Sequence, residues 1–212
     1  MADIEAPKIV QKSYFDSLEA ILKDQIDKAY FEALGRFMHE FSGVEQMLYM
    51  WLCAQLKLTT KEAAAIFAGV RAMDAITNIK RLHEARDKNL PTELADLFEH
   101  VGTLNTARNE IIHYGAEGSG LEERRVSTEL RSHTTKKAKN WPVSAETLKA
   151  MFLDAEKVNV SLIYWIVPGE RLKEHPALAR AWQYKYPANP QAQSRKGAQK
   201  GQKKKQQPKG PR

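Results

Sequence analysis

The chain has 212 residues, 42% of them hydrophobic and 28% charged, and a formal net charge of +7, an ordinary globular composition that predicts one core. Its single cysteine, Cys53, excludes an intramolecular disulfide and a thiolate zinc site built within one chain. The opening MADIEAPKIVQKSYFD is acidic where a secretory signal would be basic, and no apolar run long enough to cross a bilayer follows, so a cytoplasmic protein with no membrane segment is expected.

The positive charge is concentrated at one end. Residues 195–212 hold eight basic side chains and no acidic ones; removing them from the 33 basic residues leaves 25 against 26 acidic, a formal charge of −1 for the remainder. A segment rich in Gln, Gly, Lys and Pro cannot bury apolar surface and is expected to be disordered. Such a tail attracts phosphates without reading sequence, or serves only as a solubilising terminus. The expected organisation is a flexible N-terminus over 1–12, a helical domain over 13–187 and a disordered basic tail over 188–212.

Within the domain, Phe31, Leu34, Met38, Phe41, Glu45, Leu48 and Leu52 alternate steps of three and four, which predicts one helical stripe from Tyr30 to Cys53, widened by Phe37, Val44 and Trp51. In that setting Cys53 reads as a small buried hydrophobe. Thr59 and Glu62 have capping-box spacing before a short helix that Gly69 ends. Ile76, Ile79 and Leu82 predict a helix over 72–87. After Pro91, a second seam runs through Leu94, Leu97, Val101, Leu104, Arg108 and Ile111, with Gly115 as the stop.

Residues 116–143 break the helical pattern, and ERRVSTELRS reads as loop or weak hairpin. Ser144 caps a further helix whose core face is Leu148, Met151, Phe152, Ala155, Val158, Leu162 and Ile166, ended by Pro168-Gly169. ERLKEHPALARAW adds a short helix. The fold class is therefore all-α, and an antiparallel bundle of four to five core helices is the architecture expected from long helices with short connections.

Each strong seam contains one charge, Glu45 in the first and Arg108 in the second, of opposite sign. A buried charge needs a partner, so the pattern predicts either a direct Glu45–Arg108 contact or two side chains that reach solvent at a bundle edge.

Arg108 also begins Arg108-Asn109-Glu110-Ile111-Ile112-His113-Tyr114-Gly115. This string resembles the R-N-x-x-x-H motif of the HEPN superfamily, many of whose members are metal-independent ribonucleases. The resemblance spans roughly residues 28–167, because the preceding helix FEALGRFMHEFSGVEQML, with its glutamate, resembles the first core helix of such domains. It implies a HEPN-like bundle, and a homodimer in which two copies of the motif face one cleft.

Arg108 and His113 are five residues apart and so are rotated by roughly 140° around a helix, whereas Asn109 and His113, four apart, share a face. Metal-free RNA cleavage needs a base for the 2′-hydroxyl proton, an acid for the leaving oxygen and positive charge for the transition state. His113 lies in the last helical turn, where the helix dipole attracts positive charge, and suits the acid or phosphate-binding role. Arg108 supplies fixed charge and paired donors, Asn109 orients substrate or histidine, and Tyr114 offers a stacking face. Arg124, Arg125, Arg131, Lys136 and Lys137 beyond the motif are candidates to line the RNA approach, or form an ordinary solvated loop.

The other histidines have no metal-ligand spacing, and there is no Walker loop, dinucleotide fingerprint or nucleophile elbow, so no metal and no cofactor are expected. The resemblance implies an endoribonuclease acting on RNA, as a toxin with an antitoxin partner or in phage defence. The rival is a non-catalytic dimeric HEPN-like module that binds nucleotide, RNA or a partner protein. A third reading is a protein that binds nucleic acid mainly through its tail.

Overall fold

The computed structural model describes residues 8–120, 122–128, 139–166 and 175–185, with side chains from residue 16 onward. It is helical apart from one small two-stranded sheet. Helix α1 runs Lys8–Leu56, well upstream of the Tyr30 start that periodicity predicts; its 49 residues extend roughly 73 Å. α2 (Thr60–Phe67) carries the expected capping box, with Thr59 Oγ1 and the Glu62 carboxylate exchanging bonds with each other's backbone N–H. Gly69, at φ 77°, ends it in a conformation that favours glycine. α3 is Ala72–Ala85 and α4 is Thr92–Tyr114. Gly115, at φ 72°, terminates α4 by donating its N–H to the Ile111 carbonyl.

The segment after α4 is a hairpin: β1 (Arg125–Ser127) pairs antiparallel with β2 (Asn140–Pro142), Val126 opposite Trp141. α5 (Ala145–Ile166) follows, with Ser144 Oγ accepting the Thr147 N–H, and α6 (Pro176–Ala179) is the expected short helix. No described helix is long and apolar enough to cross a membrane.

The antiparallel expectation holds for some neighbours only. α4 runs against α1, since Trp51 meets Phe98 and Phe41 meets Arg108. α5 runs parallel to α1: Ala29 and Ala33 share a groove with Ala145 and Phe152, Asn159 Nδ2 donates to the Glu40 carbonyl at 3.0 Å, and Trp51 stacks near Trp165. α5 is therefore antiparallel to α4, and the hairpin between them joins two helix ends on the same side of the bundle. Gly43 sets the close approach, as a Cβ there would meet Asn159 Nδ2 at 2.9 Å.

The buried face of α1 keeps Phe41, Leu48 and Leu52 of the predicted stripe and the widening Phe37, Val44 and Trp51, and turns away from its Phe31 and Glu45 edge. Phe37, Phe41, Val44, Leu48 and Leu52 are essentially fully buried, while Phe31 is 58% exposed and Met38 and Glu45 lie on the flank. Upstream, Leu18, Ile21, Leu22 and Ile26 form an exposed apolar face on the projecting half of α1.

Candidate active site at the end of helix α4

The inward face of α4 passes through Leu97, Val101, Leu104, Ala107 and Ile111, so Arg108 sits one position off the seam. It is half-buried, its guanidinium carbon 5.9 Å from the centre of the Phe41 ring, and its Nη1 donates to Asn109 Oδ1 at 2.9 Å. The expected Glu45–Arg108 ion pair does not form. Glu45 occupies the flank of α1 rather than its buried stripe, and the antiparallel register puts Arg108 at the level of Phe41, a turn away. Both seam charges follow the bundle-edge alternative.

His113 is solvent-exposed one turn beyond Asn109, and its ring has no hydrogen-bond or ion-pair partner among the described residues. Ile112 and Tyr114 beside it are 49% and 37% exposed, and successive residues of a helix are rotated by about 100°, so the three side chains leave the end of α4 in different directions. Glu45 is not brought to this helix end by any contact to Arg108, Asn109 or His113 among the described residues.

The charge buried inside the motif is Glu110, which the periodicity argument passed over. Only 8% exposed, its carboxylate accepts the Trp141 indole N–H at 2.9 Å and the Lys139 ammonium at 2.6 Å. It fastens β2 against the end of α4 and fixes the turn that carries Arg108, Asn109 and His113. Its spacing from Ala107 and Ile111 marks it as inward-facing, and that signal was available in the sequence.

Arg124 has a similar anchoring role. It pairs with Asp27 and lies over the Tyr30 and Phe31 rings at 4.3 and 5.2 Å from their centres. The Gly120 N–H donates to Asp27 Oδ1 at 2.7 Å. That bond and Arg124 hold the Asp27 carboxyl below its ordinary value against a partial desolvation. Burial pushes the Tyr30 phenol up, opposed by the charge of Arg124. Arg125 bonds Asn140 and Glu123 within and beside the hairpin. Arg131, Lys136 and Lys137, the other candidates for RNA contact, lie outside the described residues.

A second buried carboxylate, Asp154, also went unread. At 1% exposure it accepts the backbone N–H groups of Gln183 and Tyr184 at 2.8 Å each and faces His100 Nε2 at 2.9 Å. His100 stacks on Trp182 with ring centres 3.9 Å apart, so this cluster ties residues 182–184 to α4 and α5. Comparison with protein-family models, with curated proteins and with solved structures gave no match.

Proposed function

We propose that this chain is a metal-independent endoribonuclease of HEPN type, acting as a homodimer in which two α4 ends face one RNA-binding cleft. The observation that carries the reading is the end of α4: Arg108, bonded to Asn109, is followed one turn later by an outward histidine without a described partner. An imidazole in that condition is accessible for proton transfer, and the fork of Arg108 keeps donors beyond the one given to Asn109 for phosphate oxygens. The exposed Ile112 and Tyr114 supply apolar area at the end of α4 that a second copy would cover. Glu110 keeps this turn in register by its bonds to the hairpin. A role as a toxin with an antitoxin partner, or in phage defence, extends the same reading.

The test is cleavage of mixed cellular RNA in EDTA by wild type, Arg108→Ala and His113→Ala proteins matched for fold and oligomeric state. Loss of cleavage in both variants supports the assignment. Equal cleavage by all three refers the activity to another site, and no cleavage by any favours a module that binds without turnover.

A further inference from the structure

At the other end of α4, roughly 28 Å from His113 along the helix axis, lies a pocket of about 200 Å³. Trp51 and Trp165 form its aromatic side, their rings 6.5 Å apart and within 18° of parallel. Gln55 of α1, with His83, Arg86 and Lys88 at and just beyond the end of α3, supplies its polar side, and Leu94 of α4 completes it.

Three independent features make this pocket attractive to negative charge. Trp51 is 2% exposed, yet its indole N–H, which can only donate, has no partner among the described residues; His83 Nδ1 is likewise unpartnered. α4 begins after Pro91 without a side-chain cap, and Leu94, in its first turn, puts the pocket at the positive end of a 23-residue helix dipole. Arg86 spends one hydrogen of each Nη on the Gln55 side chain and carbonyl, both at 2.7 Å, and retains three further donors.

The local backbone is shaped to put these cations there. α3 ends with Lys88 donating its N–H to the His83 carbonyl and Asp87 to that of Glu84, the paired bonds of a Schellman turn. The left-handed position of that turn is held by Asp87, at φ 50°, where glycine would be unstrained. Arg86 and Lys88 flank the strained residue and line the pocket.

We infer that this pocket binds a small planar organic anion, an aromatic carboxylate by chemical class. The carboxylate takes the Trp51 indole N–H and the Arg86 fork, which matches two coplanar oxygens, with Lys88 adding charge. The ring lies against the indole wall. A volume of about 200 Å³ is below the usual range for drug-sized ligands and limits the occupant to a single small ring. The inference stands apart from the ribonuclease reading, since it uses none of the residues at the far end of α4.

The experiment is a titration of the full chain with benzoate, and separately with inorganic phosphate at equal ionic strength, following the indole N–H signals of the four tryptophans by ¹H–¹⁵N NMR. The Trp51 signal is identified by its absence in Trp51→Phe. Benzoate is expected to move that signal saturably, with affinity about tenfold weaker in Lys88→Gln and in Arg86→Gln, a change of about 1.4 kcal/mol. Lys88 has no side-chain partner among the described residues, so its variant keeps the test decisive if loss of the Arg86–Gln55 contact perturbs the fold. A Trp51 signal that does not respond to benzoate, that responds equally to phosphate, or that titrates in both variants as it does in wild type overturns the assignment.

Discussion

Glu110 and Trp141, 31 residues apart, meet through a buried 2.9 Å hydrogen bond that joins the end of α4 to the hairpin. Removing the carboxylate deletes this bond and the ion pair with Lys139. Glu110→Ala is expected to cost about 2–3 kcal/mol in urea unfolding, in line with a buried charge-assisted bond. Glu45→Ala, at a flank position with no ion pair to Arg108, is expected to cost less than about 1 kcal/mol. A larger loss for Glu45 than for Glu110 would contradict the register described here.

Asp154 makes a similar argument for residues 182–184. Its carboxylate receives two backbone N–H groups and the His100 ring, so Asp154→Ala leaves several buried groups without acceptors. The expected result is a loss of about 2–4 kcal/mol and faster proteolysis after residue 180. Unchanged cleavage there would show that Trp182 stacking and the contacts of Lys157 and Glu156 hold the segment without Asp154.

Asp27 sets the sign of one pH effect. The Gly120 N–H, with Arg124, lowers its folded-state pKa below the unfolded value of 3.8. Its contribution to stability is therefore fully present above that value and is lost as pH falls through the lower folded value. Glu62 and Glu146, held low by Thr59 and Ser144, act in the same direction. Melting temperature should fall as pH drops below about 4, and Asp27→Asn should be less stable at neutral pH with a shallower acid limb. An acid limb as steep as that of wild type would remove Asp27 as a cause.

The projecting half of α1 offers a fourth check. Leu18, Ile21, Leu22 and Ile26 are exposed, whereas Phe37 to Leu52 pack into the core. Amides of residues 16–26 are expected to exchange with deuterium much faster than those of 37–52, because little tertiary burial supports them. Equal protection would mean that this face is covered in solution.

Much of the helix plan was legible in the sequence because caps and stops are local: Thr59–Glu62, Pro91, Gly115 and Ser144 fall where the helices begin and end. The inward face of α1 was harder to read. Its apolar surface is broad, and a stripe through Phe31, Met38 and Glu45 fits a three-four pattern as well as the one through Phe37, Val44 and Trp51 that is buried. Tertiary partners decide between them. The parallel α1–α5 pairing was illegible for the same reason, since periodicity says which side is apolar and not which neighbour covers it. At the candidate site, Arg108, Asn109 and His113 were found by motif. The support from Glu110 depends on Trp141, 31 residues away, which no local pattern reports.

The central claim is that His113 serves metal-free RNA cleavage, and the chemistry of the products tests it most directly. Wild-type protein and a folded His113→Ala variant are incubated in EDTA with a defined RNA and with the same RNA carrying 2′-deoxy sugars, and the new termini are identified by mass spectrometry. Attack by a 2′-hydroxyl predicts 2′,3′-cyclic phosphate and 5′-hydroxyl ends from wild type alone, and none from the deoxy substrate. Equal cleavage by His113→Ala, or cleavage of the deoxy substrate, would contradict the account.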